Sequence, residues 1–241
     1  MLFEDHFYRS ADNRLDLYAR IYPGSGPTLL LMHGLTRNSA DFEPLVKMLD
    51  ENYNIISVDQ RGRGRSGYDP EPENYLPNIY ASDMFALLDG LKVKSVTAIG
   101  TSMGGLIAMM MGALQKDRLT GIIINDIGPE VDPVGIARIQ SYVGETDPIQ
   151  TWAEAAAACR DINAVAFPDY LDADWMDFAK RTYVEENGSI RPAYDPAIAT
   201  SMEGDEPATV PPDLWQAWEM LADTPMLLIR GATTDILHEK T

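Results

Sequence analysis

The chain has 241 residues, 45% of them hydrophobic, which suffices for a sizeable core in one large domain or in a domain carrying an insertion. Its 37 acidic residues outnumber 19 basic ones to give a formal charge of -18. With no basic block anywhere, this argues against nucleic acid and anionic membrane surfaces as partners. The lone cysteine, Cys159, rules out an internal disulfide, and its setting in WAEAAAACRDI reads as the face of an alanine-rich helix. The first residues, MLFEDHFYRS, carry acids where a secretory signal needs bases, and no apolar run approaches the length of a membrane span. The expected location is therefore cytoplasmic.

Residues 3–9 (FEDHFYR) and 15–22 (LDLYARIY) alternate in polarity around the turn-forming ADN, which predicts an antiparallel hairpin. The pattern then changes to near-continuous apolar runs: TLLLMH (28–33), NIISVD (54–59), SVTAIG (95–100), GIIIND (121–126) and MLLIRG (226–231). Runs of this kind are expected of parallel strands buried on both faces. Helix-length stretches separate them: SADFEPLVKMLDEN with Ser39 or Asp41 as its cap, PNIYASDMFALLDGLK, and SMGGLIAMMMGALQ. Strand and helix in alternation predict an α/β architecture, a mostly parallel sheet with helices on both faces.

One long segment departs from this alternation. From Pro129 to about Pro212 no buried strand is evident, and IARIQSYV, TWAEAAAACRDI and DADWMDFAKRTYVEEN all read as helical. A connection of that length must carry its own structure. It is expected to be a mostly helical cap over residues 129–211, inserted into a core formed by residues 1–128 and 212–241, with DLWQAWEML returning the chain to the core.

The stretch GTSMGG, Gly100 to Gly105, joins an apolar run to a helical one. In an open parallel sheet, ligands bind beyond the carboxyl ends of the strands, where Ser102 falls. Gly100, Ser102 and Gly104 fit G-x-S-x-G, a strained strand-to-helix turn that exposes the serine hydroxyl at the positive end of a helix. Taken with HGLTRNS after the third strand, DQRGRGRSG after the fourth and IRGATTD near the end, the chain resembles the α/β-hydrolase superfamily, in its cap-bearing, esterase-like branch.

That resemblance implies a hydrolase acting on a carboxylic ester or related acyl bond of a small molecule through a Ser102 acyl-enzyme, with no metal or organic cofactor. It implies that the backbone N–H groups of Leu35 and Met103 form the oxyanion hole, and that His33 and Gly34 support the loop carrying the first of them. The acid that orients the catalytic histidine is expected to be Asp235, with Asp126 as its alternative. The histidine should follow an eighth strand, and residue 241 precedes any such strand. His6 belongs to the first hairpin, and His238 is expected in the first turn of an outer helix. The base is therefore expected outside these 241 residues; otherwise the protein is a relative without turnover. The same resemblance leaves open cleavage of a carbon–carbon bond in a diketone-like acid, and a ligand-binding protein without catalysis.

Three other features read as structural. DQRGRGRSG has glycines and arginines that could cradle a phosphate, yet it matches neither a dinucleotide fingerprint nor a P-loop. The acids Asp172, Asp174 and Asp177 have no histidine nearby, fail the calcium-loop pattern, and suit a helix start. Trp152, Trp175, Phe167, Phe178 and Tyr183 are expected to form the cap's own core, with an apolar substrate pocket as the other reading.

Overall fold

The computed structural model describes residues 2–49, 52–144, 149–204, 210 and 214–241. The strands in chain order are β1 (Glu4–Arg9), β2 (Asp16–Tyr22), β3 (Thr28–Met32), β4 (Asn54–Asp59), β5 (Val96–Thr101), β6 (Leu119–Asn125), β7 (Tyr183–Glu186), β8 (Ser189–Pro192) and β9 (Met226–Ile229). The helices are α1 (Glu43–Met48), α2 (Pro77–Gly90), α3 (Met103–Gln115), α4 (Pro133–Gln140), α5 (Trp152–Asn163), α6 (Asp172–Thr182) and α7 (Trp215–Glu219).

Seven strands form one sheet in the order β1-β2-β4-β3-β5-β6-β9. The β1–β2 hairpin is antiparallel and joins β4 in antiparallel register, and every ladder from β4 through β9 is parallel. The apolar runs explain the centre: Leu30 stands between Ile56 and Ala98 on its neighbours, and all three are fully buried. Chains that cross between parallel strands bring α2 and α3 onto the sheet, where Met84, Leu87, Leu88, Ile107 and Met111 close the main core. At the β9 edge, Leu227, Leu228 and Ile229 are exposed.

Between β6 and β9, helices α5 and α6 enclose a second apolar cluster of Ala155, Ala156, Cys159, Trp175, Phe178, Ala179 and Ile190, against which Trp152, Phe167 and Tyr183 pack. All five aromatics expected in this segment thus pack in its own apolar cluster. Backbone bonds tie this segment to loops that follow β4, with Gly64 N–H donating to Ala193 O and Asp195 N–H to Gly62 O, both at 2.8 Å. The Asn38 side chain, after β3, donates to Arg181 O at 2.7 Å.

Three local expectations are corrected. The stretch expected to be one helix capped by Ser39 or Asp41 starts as a short 3-10 turn, Ser39–Phe42, capped by Asn38, whose Oδ1 accepts the Ala40 N–H, while the Ser39 N–H is taken by Asp59 Oδ1 at 2.6 Å; α1 follows from Glu43 without a side-chain cap. Helix α6 stops at Thr182, and the residues read as its continuation pair as the β7–β8 hairpin. Asn187 and Gly188, at φ of 53° and 79°, supply the two left-handed positions that a tight hairpin turn requires. His238 lies in a turn rather than a helix, its Nδ1 accepting the Lys240 N–H.

Candidate active site

Strand β5 ends at Thr101 and α3 begins at Met103, which leaves Ser102 alone in the joint, at φ 50° and ψ -116°. A non-glycine residue at such angles is strained, and the surroundings must hold it there. The glycines let them do so. A Cβ on Gly100 would come within 2.2 Å of the Gly104 backbone, and one on Gly104 within 2.0 Å of Met32 O, so α3 can pass directly against β3 and β5. The Ser102 N–H donates to Asn125 O at the end of β6, at 2.9 Å. The 13-residue α3 therefore directs its unpaired first N–H groups and positive end toward the serine.

The HGLTRNS loop runs beside this turn. A Cβ on Gly34 would stand 3.8 Å from Ser102 Cβ, so the backbone of the loop approaches Ser102 without an intervening side chain. His33 is fully buried; its Nδ1 lies 2.7 Å from Gly34 O, and its Nε2 accepts the Gln60 N–H at 3.1 Å. These partners assign the ring proton to Nδ1. Burial, opposed in part by the Gly34 carbonyl, pushes the imidazole pKa down to about 3, so the ring is neutral and both nitrogens are engaged in holding the loop.

Sequence reasoning missed Arg63. This side chain is fully buried, and its Nε donates to Leu35 O at 2.8 Å while Nη1 donates to Arg61 O and Tyr80 Oη. Its Nη2 lies 3.6 Å from Met103 Sδ, so one guanidinium touches both residues expected to offer oxyanion donors. Among the described residues Arg63 has no ion pair, which leaves its positive charge uncompensated next to them. The signal was the run of arginines in DQRGRGRSG. Its neighbour Arg61, by contrast, is spent on a buried pairing with Asp83 and Asp69, each at 2.8 Å.

Both candidate acids lie past strand ends. Asp126 follows β6 at φ 60°, its N–H bonded to Ile229 O at 2.7 Å and its Oδ1 accepting the Gly231 N–H at 2.9 Å. It is next in sequence to Asn125, which anchors the Ser102 backbone. Asp235 instead has both oxygens taken by Arg138 of α4, at 2.5 and 2.8 Å, and those bonds hold its carboxyl below the usual range. His6 stacks on Tyr8 on β1, at the far edge of the sheet. Among the described residues no hydrogen bond joins a histidine to Ser102, Asp126 or Asp235.

Two cavities flank the serine loop. A small apolar one of about 30 Å³ is lined by Ser102, Leu35, Met103, Leu106, Ile127 and Ile136, among others. A larger one of about 270 Å³ lies under α5 and α6, where Phe178 and Tyr183 are the cap aromatics that reach it. Asp174 caps the start of α6 through the Leu171 N–H, and Asp172 pairs with Arg160. Among the described residues no cluster of three or more His, Cys, Asp or Glu is arranged to hold a metal, and no helix is long and apolar enough to cross a membrane.

A strained serine between a parallel strand and a helix, with a glycine loop beside it, is the arrangement of the G-x-S-x-G turn of the α/β-hydrolase fold. The family model of the alpha/beta hydrolase fold matches residues 27–186, and the chain belongs to that family. It is 31% identical to a 3-hydroxybutyrate-oligomer hydrolase of Cupriavidus necator over 91% of this chain and 76% of that protein. It is 30% identical to a 2-(acetamidomethylene)succinate hydrolase of Mesorhizobium japonicum over 97% and 81%. A crystal structure of an alpha/beta hydrolase from Novosphingobium aromaticivorans superimposes with a TM-score of 0.91 at 38% identity, covering 99% of this chain and 85% of that one.

Proposed function

We propose that the protein cleaves a carboxylic ester of a small molecule through an acyl-enzyme on Ser102. The observation that carries this is the backbone of Ser102, held at φ 50° and ψ -116° by glycines that admit no side chain. Such strain is kept where a hydroxyl must project from the turn toward a ligand. The hydroxyl attacks the acyl carbon, and the N–H groups of Leu35 and Met103 receive the oxyanion, assisted by the α3 dipole and the nearby Arg63 charge. An ester with a short acyl group suits the small apolar cavity at the serine.

The orienting acid in this reading is Asp126 rather than Asp235. What supports it is that Asp126 uses one carboxylate oxygen on Gly231, whereas both oxygens of Asp235 are engaged by Arg138. The residues of α4, α5 and α6 act as the cap over the strand ends. A histidine is the expected proton acceptor, and His33 does not fill that role, because both of its nitrogens are bonded elsewhere.

Reaction with a fluorophosphonate probe, read by mass spectrometry, tests the assignment. Modification confined to Ser102 and lost in Ser102→Ala is expected. A folded protein that binds short esters yet neither labels nor turns over would point to a ligand-binding role.

A further inference from the structure

The loop that carries the oxyanion donor also carries a cation. Arg37 closes the turn that begins at Gly34, its N–H donating to Gly34 O at 3.1 Å. The position of a Cβ on Gly34 lies 3.8 Å from Arg37 Cγ and equally far from Ser102 Cβ, so the root of the arginine is within twice that distance of the nucleophile. From there the side chain extends into the larger cavity under the cap.

Its guanidinium is fixed on the cap side. It stacks over the Phe178 ring with 4.0 Å to the centroid, and Nη2 donates to Asn163 Oδ1 at 3.1 Å. A guanidinium has five N–H donors in a planar fork, and stacking occupies its face while leaving the edge. Among the described residues its only ion pair is with Asp41, at 4.0 Å, beyond hydrogen-bonding distance. The side chain is 17% exposed, so it is largely removed from bulk water while unmatched donors remain.

Among the described residues lining this cavity, Arg37 is the one cation and Glu154 the one carboxylate. Glu154 is already committed as a helix cap, accepting the N–H groups of Gln150 and Thr151 at 2.9 and 3.0 Å. In a molecule of formal charge -18 an anion meets mostly like charge at the surface, so a cation in a sheltered cavity, rooted on the same loop that approaches Ser102, favours an anionic ligand there.

We propose that Arg37 is a specificity residue that binds a carboxylate of the substrate, so that the protein prefers acyl compounds carrying a negative charge a few bonds from the scissile carbonyl. This rests on the serine-hydrolase reading above. The short acyl part faces the small apolar cavity, and the charged part lies in the larger one against Arg37 and the polar edges of Asn163 and Tyr142. Bidentate pairing with a carboxylate completes the guanidinium edge and is stronger than a neutral hydrogen bond.

Two measurements separate this proposal from the reading on which it rests. In the first, kcat/KM is compared for 4-acetoxybutyrate and butyl acetate in the unaltered protein, Arg37→Met and Arg37→Lys. The anionic-to-neutral ratio is expected to fall about tenfold to a hundredfold in Arg37→Met, with an intermediate loss in Arg37→Lys. The second is calorimetric titration with glutarate, which needs no turnover. Binding by the unaltered protein that weakens at least tenfold in both variants supports the proposal even if neither ester is cleaved, in which case only the hydrolase reading fails. A ratio and a glutarate affinity unchanged by both substitutions overturn it, as does absence of glutarate binding by the unaltered protein. Because Arg37→Lys keeps the charge, it answers the question should Arg37→Met fail to fold.

Discussion

Arg63 Nε donates to the carbonyl oxygen of Leu35 at 2.8 Å, and this bond fixes the peptide group next to the N–H assigned to the oxyanion. Sulfur contact from Nη2 to Met103 places the same guanidinium against the second residue proposed as a donor. Replacement by methionine leaves Leu35 O, Arg61 O and Tyr80 Oη without a buried partner, at an expected cost of about 3 kcal/mol in urea unfolding. In a variant that still folds, the rate of fluorophosphonate labelling at Ser102 is expected to drop about tenfold or more, because the donors are no longer held. Unchanged labelling in Arg63→Met would remove Arg63 from the positioning of the site.

The glycines of the nucleophile turn differ in what they prevent. Gly104→Ala drives a methyl group to 2.0 Å from Met32 O, a backbone atom that cannot move aside, and is expected to cost several kcal/mol or abolish folding. Gly90 ends α2 with nothing within 4 Å of its Cβ position, so Gly90→Ala is expected to raise stability by up to about 1 kcal/mol through helix propensity. Thermal unfolding of the two variants side by side checks the contrast.

His33 makes stability depend on pH. Its folded pKa of about 3 lies below the unfolded value of 6.5, so between those values the unfolded chain binds a proton that the folded chain refuses. The contribution is full above pH 6.5 and is lost as the pH falls, at about 1.4 kcal/mol per pH unit from this group within the window. Urea unfolding between pH 7 and 5 should show a steeper decline for the unaltered protein than for His33→Gln. Equal slopes would mean that the ring is not held neutral.

Among the described residues no histidine is hydrogen-bonded to Ser102, and the consequence has a chemical test. Added imidazole is expected to raise the hydrolysis of p-nitrophenyl acetate by these 241 residues severalfold above its background, and not in Ser102→Ala, because a diffusing base can take the serine proton that no histidine among the described residues accepts. A rate independent of imidazole would show that another group already serves as base.

The Arg138–Asp235 pair is partly exposed, at 42% and 33%, and a double-mutant cycle is expected to give less than about 1 kcal/mol of coupling. A larger value would mark α4 as clamped onto the sheet by this pair. A small one means that Asp235 is readily released, and comparison of Asp126→Asn with Asp235→Asn in labelling and turnover then decides between the two acids.

The sequence by itself determined the sheet, the order of its elements and the strand-to-helix turn at Ser102. Uninterrupted apolar runs such as TLLLM and GIIIN can satisfy their backbone and bury both faces only as central parallel strands, and glycines around Ser102 fit only where backbones cross closely. Locally, a helix-like composition masked the β7–β8 hairpin although Asn187-Gly188 was legible as its turn, and Asn38 caps the turn at Ser39–Phe42 while the Ser39 N–H goes to the distant Asp59. Tertiary structure alone decided the rest. The partners of Arg63, Arg37, Asp126 and Asp235 lie far along the chain, on loops brought together at the strand ends, and a charged side chain's role follows from which donors and carbonyls face it after folding. Periodicity records which face of an element is buried; it carries no information on which distant atom a guanidinium or carboxylate will meet.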